Sequence, residues 1–316
     1  MSSRQQTRPG QPHAVEVREV YERVLAGTSV HSRHLAVADG GRVHLLETGG
    51  GPPLVLLHGT GTSAGFLRPL LDALHGVRVT APDRPGVGLS DPIDLLRDRY
   101  RERAVAWLDR LLDALELDTT TLAGHSGGGL WALWYALAHP DRVERLVLLD
   151  PPALPGTPCP LPMRLVATPG LGELLSRVAP PSRASVLRLA GFLGEKVTIA
   201  AHPELVDLLV ALGRDPASHH AATTEHRVLI SPLAMVSPSG FRHRARLGPG
   251  ELGRLAVPTL LIWGEHDPLG GAAVARRVAG LIPQARLEIL PTGHVPWLGQ
   301  PGPTATAITE FMTTDG

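Results

Sequence analysis

The chain has 316 residues, 43% of them hydrophobic, which is enough for a sizeable core and implies two domains or one large domain with an insertion. Thirty Lys and Arg balance thirty Asp and Glu, so the net charge does not advertise nucleic acid or an anionic membrane as a partner. Gly (35) and Pro (30) stay below low-complexity levels, and the single cysteine, Cys159, excludes an internal disulfide framework and a Cys-based zinc site.

Residues 1–13 are polar and expected to be loose, with no apolar stretch of the signal-peptide kind, so a soluble cytoplasmic protein is expected. Val15, Val17, Val20, Tyr21, Val24 and Leu25 then recur at helical spacing over 14–26. Residues 1–28 are therefore read as an N-terminal extension carrying a helix. Strands are expected near 30–37 and 43–46, joined by Asp39-Gly40-Gly41, a composition that suits a hairpin. From there strands and helices alternate: strand 54–57, helix 65–74, strand 77–80, helix 97–115, strand 120–123, helix 127–138 and strand 146–149. His139-Pro140 stops the last of these helices. The rhythm resumes with strand 259–263, helix 272–281, strand 287–290 and helix 304–312. Such alternation predicts an α/β fold with a mostly parallel central sheet and helices on both faces. Between the two runs, a proline-rich start at Pro151 leads into short apolar helical patterns near 174–178, 186–192 and 205–212. This segment, 151–250, is read as a helical cap inserted into a core made of 29–150 and 251–316.

Gly124-His125-Ser126-Gly127-Gly128 fits the G-x-S-x-G pattern in the context it requires, a strand before and a helix after. A tight strand-to-helix turn lifts the Ser126 hydroxyl clear of the sheet, and the small residues at 124 and 128 let the flanking backbones approach. A serine hydroxyl needs a base, and the base an orienting acid. His294, in Gly293-His294-Val295-Pro296 after the last strand, is placed to be the base. Asp267, after the 259–263 strand, is the favoured acid. Asp150, at the end of another strand, is the alternative, and Glu265 lies nearer its own strand end. An oxyanion hole needs two backbone N–H groups. Gly127 offers one, and the loop His58-Gly59-Thr60-Gly61 another, most naturally at Thr60.

With these residues in this order, together with Asp83-Arg84-Pro85-Gly86, the chain resembles the α/β-hydrolase superfamily over roughly 29–314. The resemblance implies Ser126 as nucleophile, His294 as base, Asp267 as orienting acid, and Thr60 and Gly127 as oxyanion donors, with no metal or organic cofactor. Ser at position 126 speaks against relatives that use an Asp nucleophile. The stretch Trp297-Leu298-Gly299-Gln300-Pro301 lacks the Glu that many relatives carry before the proline. The expected activity is that of an esterase-like serine hydrolase on a carboxylic ester, lactone or thioester. C–C bond hydrolysis, acyl transfer or cyclisation on the same residues is the alternative. The apolar cap implies a small apolar substrate; the oligomeric state is left open.

Gly59-Thr60-Gly61-Thr62-Ser63-Ala64 also fits the dinucleotide-binding pattern, with Asp83 as the ribose acid. It leaves the contexts of Ser126, Asp267 and His294 unexplained. His219, His220, His226 and His243 suggest zinc only weakly, because their spacing supplies no paired ligands and no Cys accompanies them. A solvated or substrate-facing cluster is the plainer reading. Cys159 has no base placed for it by sequence.

Overall fold

The computed structural model describes residues 12–38, 41–94, 99–232 and 239–314. The polar start of the chain up to residue 11 and the Asp39-Gly40 joint lie outside the described residues.

Eight strands form one sheet: β1 (His31–Val37), β2 (Gly41–Gly49), β3 (Pro53–Leu57), β4 (Arg78–Pro82), β5 (Thr120–His125), β6 (Val143–Leu149), β7 (Thr259–Gly264) and β8 (Ala285–Leu290). Their spatial order is β1-β2-β4-β3-β5-β6-β7-β8. β1 and β2 pair antiparallel, as do β2 and β4, and every pairing from β4 to β8 is parallel. The parallel centre follows from composition. β3 and β7 read as nearly unbroken apolar runs because both faces are covered; β7 is buried along its whole length, and so is β5, although it carries Thr120, Thr121 and His125. At the open edge, β1 exposes His31, Ser32, Arg33 and His34, and such polar side chains discourage further strand pairing.

The helices are α1 (Pro12–Leu25), α2 (Arg68–Ala73), α3 (Tyr100–Ala114), α4 (Gly127–Ala138), α5 (Leu161–Ala167), α6 (Leu171–Val178), α7 (Arg183–Phe192), α8 (Lys196–Ala200), α9 (Pro203–Arg214), α10 (Pro216–Leu229), α11 (Pro249–Leu252), α12 (Ala272–Ala279), α13 (Pro296–Gly299) and α14 (Pro301–Thr313). α3, α4 and α12 cover one face of the sheet; α1, α2 and α14 help fill the core on the other. The helix expected over 65–74 is in fact a 3-10 turn, Ala64–Leu67, followed by α2. Pro69, which has no N–H to offer the preceding turn, stands in the first turn of the new helix. Helices α5 to α11 all lie between β6 and β7. Among the described residues no helix is long and apolar enough to cross a membrane.

α1 buries Val17, Val20, Tyr21 and Val24 and packs against α9 and the 64–67 turn. It therefore bridges the sheet-side core and the β6–β7 segment. Tyr21 donates its hydroxyl proton to Asp83 Oδ1. Asp83, wholly enclosed, also accepts from His44 Nδ1 (2.8 Å), the Ala64 amide (2.8 Å) and the Leu89 amide (3.0 Å). Burial raises the Asp83 pKa, but the His44 hydrogen bond and charge, with further amide bonds, outweigh it and hold the carboxyl below the ordinary range. Asp83 thus spends its acceptors inside the fold, and the ribose role offered by the dinucleotide pattern is closed to it. Tyr21→Phe should lower stability by about 1.5–3 kcal/mol, the usual worth of a hydrogen bond to a charged group. Equilibrium unfolding in denaturant measures this, and an unchanged midpoint would remove Tyr21 from the anchor.

Candidate active site

Ser126 stands between β5 and α4 with φ 49° and ψ −121°, a left-handed conformation that a non-glycine residue adopts only under constraint. The Ser126 amide donates to Leu149 O (2.8 Å), which ties the turn to β6. A Cβ on Gly124 would strike the carbonyl of Gly128 and fall 2.6 Å from the Gly129 amide nitrogen; one on Gly128 would fall 2.7 Å from Leu57 O. Both positions therefore need glycine because backbones meet there.

His294, on the loop between β8 and α13, faces Ser126 with Nε2 3.1 Å from Oγ. Its Nδ1 lies 3.0 Å from Asp267 Oδ2. A carboxylate can only accept, so Nδ1–H donates to Asp267 and the Nε2 lone pair accepts from the Ser126 hydroxyl. Asp267 follows β7, and its Oδ1 accepts from the Leu269 amide (2.8 Å). Asp150, at the tip of β6 with φ 46°, accepts from the Gly264 amide through Oδ1 (2.9 Å). Asp150, Asp267 and His294 present atoms within 4.8 Å of one another, and are the one set of His, Cys, Asp or Glu side chains among the described residues close enough to share a metal ion. Ser126 and Asp267 engage both ring nitrogens of His294, so an ion there would have to break one of those bonds.

Thr60 and Ser126 line the same cavity. The Thr60 hydroxyl lies over Gly127, where an added Cβ would strike it. Gly127 opens α4, so its amide has no carbonyl one turn back to bond to. The structure thus brings Ser126, His294, Asp267, Thr60 and Gly127 together, with Asp150 behind Asp267. Glu265 is exposed.

Four further residues shape the site. His125 donates from Nε2 to the His294 carbonyl (2.9 Å) and meets Trp297 edge to face at 4.5 Å. Burial, then the nearby His294, push its pKa well down, so the ring stays neutral. Glu195, in the turn between α7 and α8, accepts from the Val295 amide (3.2 Å), while the His294 amide donates to Leu193 O (3.0 Å). The β6–β7 segment therefore holds the backbone of the histidine loop. Arg84 makes a fork to Glu225 of α10, Nη1 to Oε1 at 2.8 Å and Nη2 to Oε2 at 2.9 Å. Its guanidinium lies 4.9 Å over the Trp131 ring, and Glu225 also takes a hydrogen bond from Thr60. The loop holding Arg84 reads from sequence as scaffold. Glu225 lies in a polar stretch, Pro216–Leu229, whose few large apolar residues give no helical signal.

The cavity measures about 630 Å³. Its walls are largely apolar, with Phe66, Val87, Met163, Leu212, Ile230 and Phe241 among them. Arg188 and Glu195 add charged residues to the lining, and so does a polar stripe on α10 add His219, Thr223 and His226, one helical turn apart. Of the four histidines singled out in the sequence, these two line the cavity, and burial keeps His226 neutral by lowering its pKa. At the mouth, Val166, Leu189 and Phe192 are exposed to solvent while lining the cavity. Cys159 is buried, and burial pushes its thiol up to about 11, where it is a poor nucleophile at neutral pH.

A family model described as alpha/beta hydrolase fold matches residues 52–300. The chain is 35% identical over 301 residues to cis-3-alkyl-4-alkyloxetan-2-one decarboxylase of Shewanella oneidensis, covering 89% of this chain and 88% of that protein. It is 32% identical over 275 residues to 2-hydroxy-6-oxononadienedioate/2-hydroxy-6-oxononatrienedioate hydrolase of Cupriavidus pinatubonensis, covering 84% and 88%. Among solved structures, carboxylesterase CesB from Bacillus subtilis matches with a TM-score of 0.73 at 23% identity, covering 96% of this chain and 99% of that one, a likeness of fold alone.

Proposed function

The chain belongs to the alpha/beta hydrolase fold family of enzymes, and on that premise we propose that it is a serine hydrolase cleaving a carboxylic ester, lactone or thioester of a small to medium apolar substrate. The observation that carries this reading is the hydrogen-bonded order Ser126 Oγ–His294–Asp267 at the floor of an apolar cavity. Residues 151–250 act as the cap over that cavity. As Ser126 Oγ attacks the substrate carbonyl carbon, His294 Nε2 takes its proton. The carbonyl oxygen becomes an oxyanion held by the Thr60 and Gly127 amides. Collapse of the tetrahedral species expels the alcohol or thiol, which receives the proton from His294. Water, deprotonated by His294, then attacks the acyl-enzyme, and Ser126 recovers its proton as the acid leaves. Asp267 keeps Nδ1 protonated and balances the imidazolium charge.

The hydrolase from C. pinatubonensis motivates a second reading, the same residues acting on a carbon–carbon bond. Against a doubly charged substrate stands the largely apolar lining of the cavity, in which Arg188 is the single Arg or Lys among the described residues and so offers a partner for one carboxylate, not two. A panel of p-nitrophenyl esters of increasing acyl length, a medium-ring lactone, a thioester and a 2-hydroxy-6-oxo-dienedioate separates the two. Turnover of neutral apolar esters with little on the dianion is expected. Turnover of the dianion alone would reverse the assignment.

A further inference from the structure

We propose that Asp150 is a neutral carboxylic acid that donates its proton to Asp267, so that two carboxyl groups sharing one proton orient His294. This rests on the reading of His294 and Asp267 given above and deepens it with a positioning residue.

The geometry leads there in three steps. Asp150 and Asp267 are 1% and 4% exposed, and both come within 4.8 Å of the His294 ring nitrogen. Two buried carboxylates so close repel strongly if both are charged, which favours one of them keeping a proton. The donors decide which. Asp267 accepts from two N–H groups, the Leu269 amide and His294 Nδ1. Asp150 accepts from one, the Gly264 amide, at Oδ1. Its Oδ2 is buried and meets no N–H or O–H donor among the described residues. A bare carboxylate oxygen in that setting is costly, whereas an O–H directed at Asp267 is satisfied. The charge therefore sits on Asp267 and the proton on Asp150.

The ionisable surroundings agree. Facing Asp150 are Asp267 from the loop after β7, His294 from the loop after β8, and Glu195 from the α7–α8 turn. Burial raises the Asp150 pKa most, Asp267 adds to it and so does Glu195, against the Gly264 amide, which lowers it. The consequence for His294 is chemical. A carboxylate that accepts an O–H is a weaker base, so Asp267 stabilises the imidazolium without taking its proton.

Asp150→Asn tests this. An amide N–H2 replaces the O–H as donor, the amide oxygen still accepts from Gly264, and Asn tolerates the left-handed backbone at this position. Infrared spectra of the intact protein at neutral pH should show a buried carboxylic-acid C=O stretch that is missing in Asp150→Asn. The acid limb of the kcat/KM profile should stay where it is and kcat/KM should change by less than about threefold, because no net charge is removed. In Asp150→Leu, which keeps neither donor nor acceptor, the acid limb should move to higher pH, since Asp267 then pulls harder on the imidazole proton. Absence of the acid band in the unaltered protein would overturn the proposal. So would an acid limb in Asp150→Asn displaced downward by about one unit or more, the mark of a lost negative charge. The infrared readout needs no substrate, so a failure of the serine-hydrolase reading would show separately, as turnover that survives loss of Ser126.

Discussion

Ser126→Ala is expected to lower kcat on an apolar p-nitrophenyl ester by about 10⁶-fold, the size of effect seen when a serine protease loses its nucleophile. The alanine side chain removes the oxygen that lies 3.1 Å from His294 Nε2 and leaves the backbone turn free to keep its conformation. His294→Ala should cost nearly as much, and the double variant little more than either alone. In the proposed mechanism nucleophile and base act as one unit, so once one is missing the other has nothing to do. A residual acceleration of about 10³–10⁴ over water is expected to survive, from substrate binding and the oxyanion donors. Initial rates at saturating ester measure all three variants. Losses that multiplied in the double variant would mean that Ser126 and His294 act in separate steps.

The second large effect falls on the fold. Glu225→Ala is expected to destabilise the protein by about 3–5 kcal/mol, because it leaves the Arg84 guanidinium buried without its counter-charge. The loss is not that of one surface ion pair. Arg84 is fixed between the Trp131 ring and the Glu225 fork, and its amide donates to His58 Nε2 (2.9 Å). Glu225 in turn lies over Gly127 beside the Thr60 hydroxyl, so α10 and the candidate oxyanion loop should loosen together. Burial raises the Glu225 pKa, but Arg84 outweighs it, and the folded-state pKa lies below the ordinary carboxylate value. The stabilisation from this group is therefore fully present above the unfolded carboxylate pKa and is lost as the pH falls through the folded one. Denaturant unfolding at neutral pH and at a series of pH values taken below the ordinary glutamate pKa checks both statements. A stability of Glu225→Ala equal to that of the unaltered protein at neutral pH would contradict the role given to the pair.

What the sequence discloses and what it hides follow from the range of the interactions. β3 and β7 are legible because strands covered on both faces are apolar almost throughout, and β5 and α4 because Gly124 and Gly128 flank a serine at a strand-to-helix turn. The first glycine loop is ambiguous, since a tight turn after a strand serves phosphate binding and oxyanion binding alike. Beyond the Ser126, Asp267 and His294 contexts, which the dinucleotide pattern leaves unexplained, the enclosure of Asp83 by Tyr21, His44 and two amides separates the two. α10 is hidden because its buried positions are Ser218, Glu225 and Leu229, leaving no apolar period to count. His125 and Glu195 act on the His294 loop from 169 and about 100 residues away in sequence, and no local pattern records such a contact. Asp150 and Asp267 compete as acids on paper because both end strands; in the fold they are neighbours with unequal donors.

Mass spectrometry of the protein after reaction with a fluorophosphonate tests the central claim most directly. A reactive serine displaces fluoride and keeps the phosphonyl group, so one adduct is expected, on the peptide that contains Ser126. It should be absent from Ser126→Ala and form far more slowly in His294→Ala. An adduct on another residue, or an unlabelled Ser126 in a preparation that still hydrolyses esters, would contradict the account.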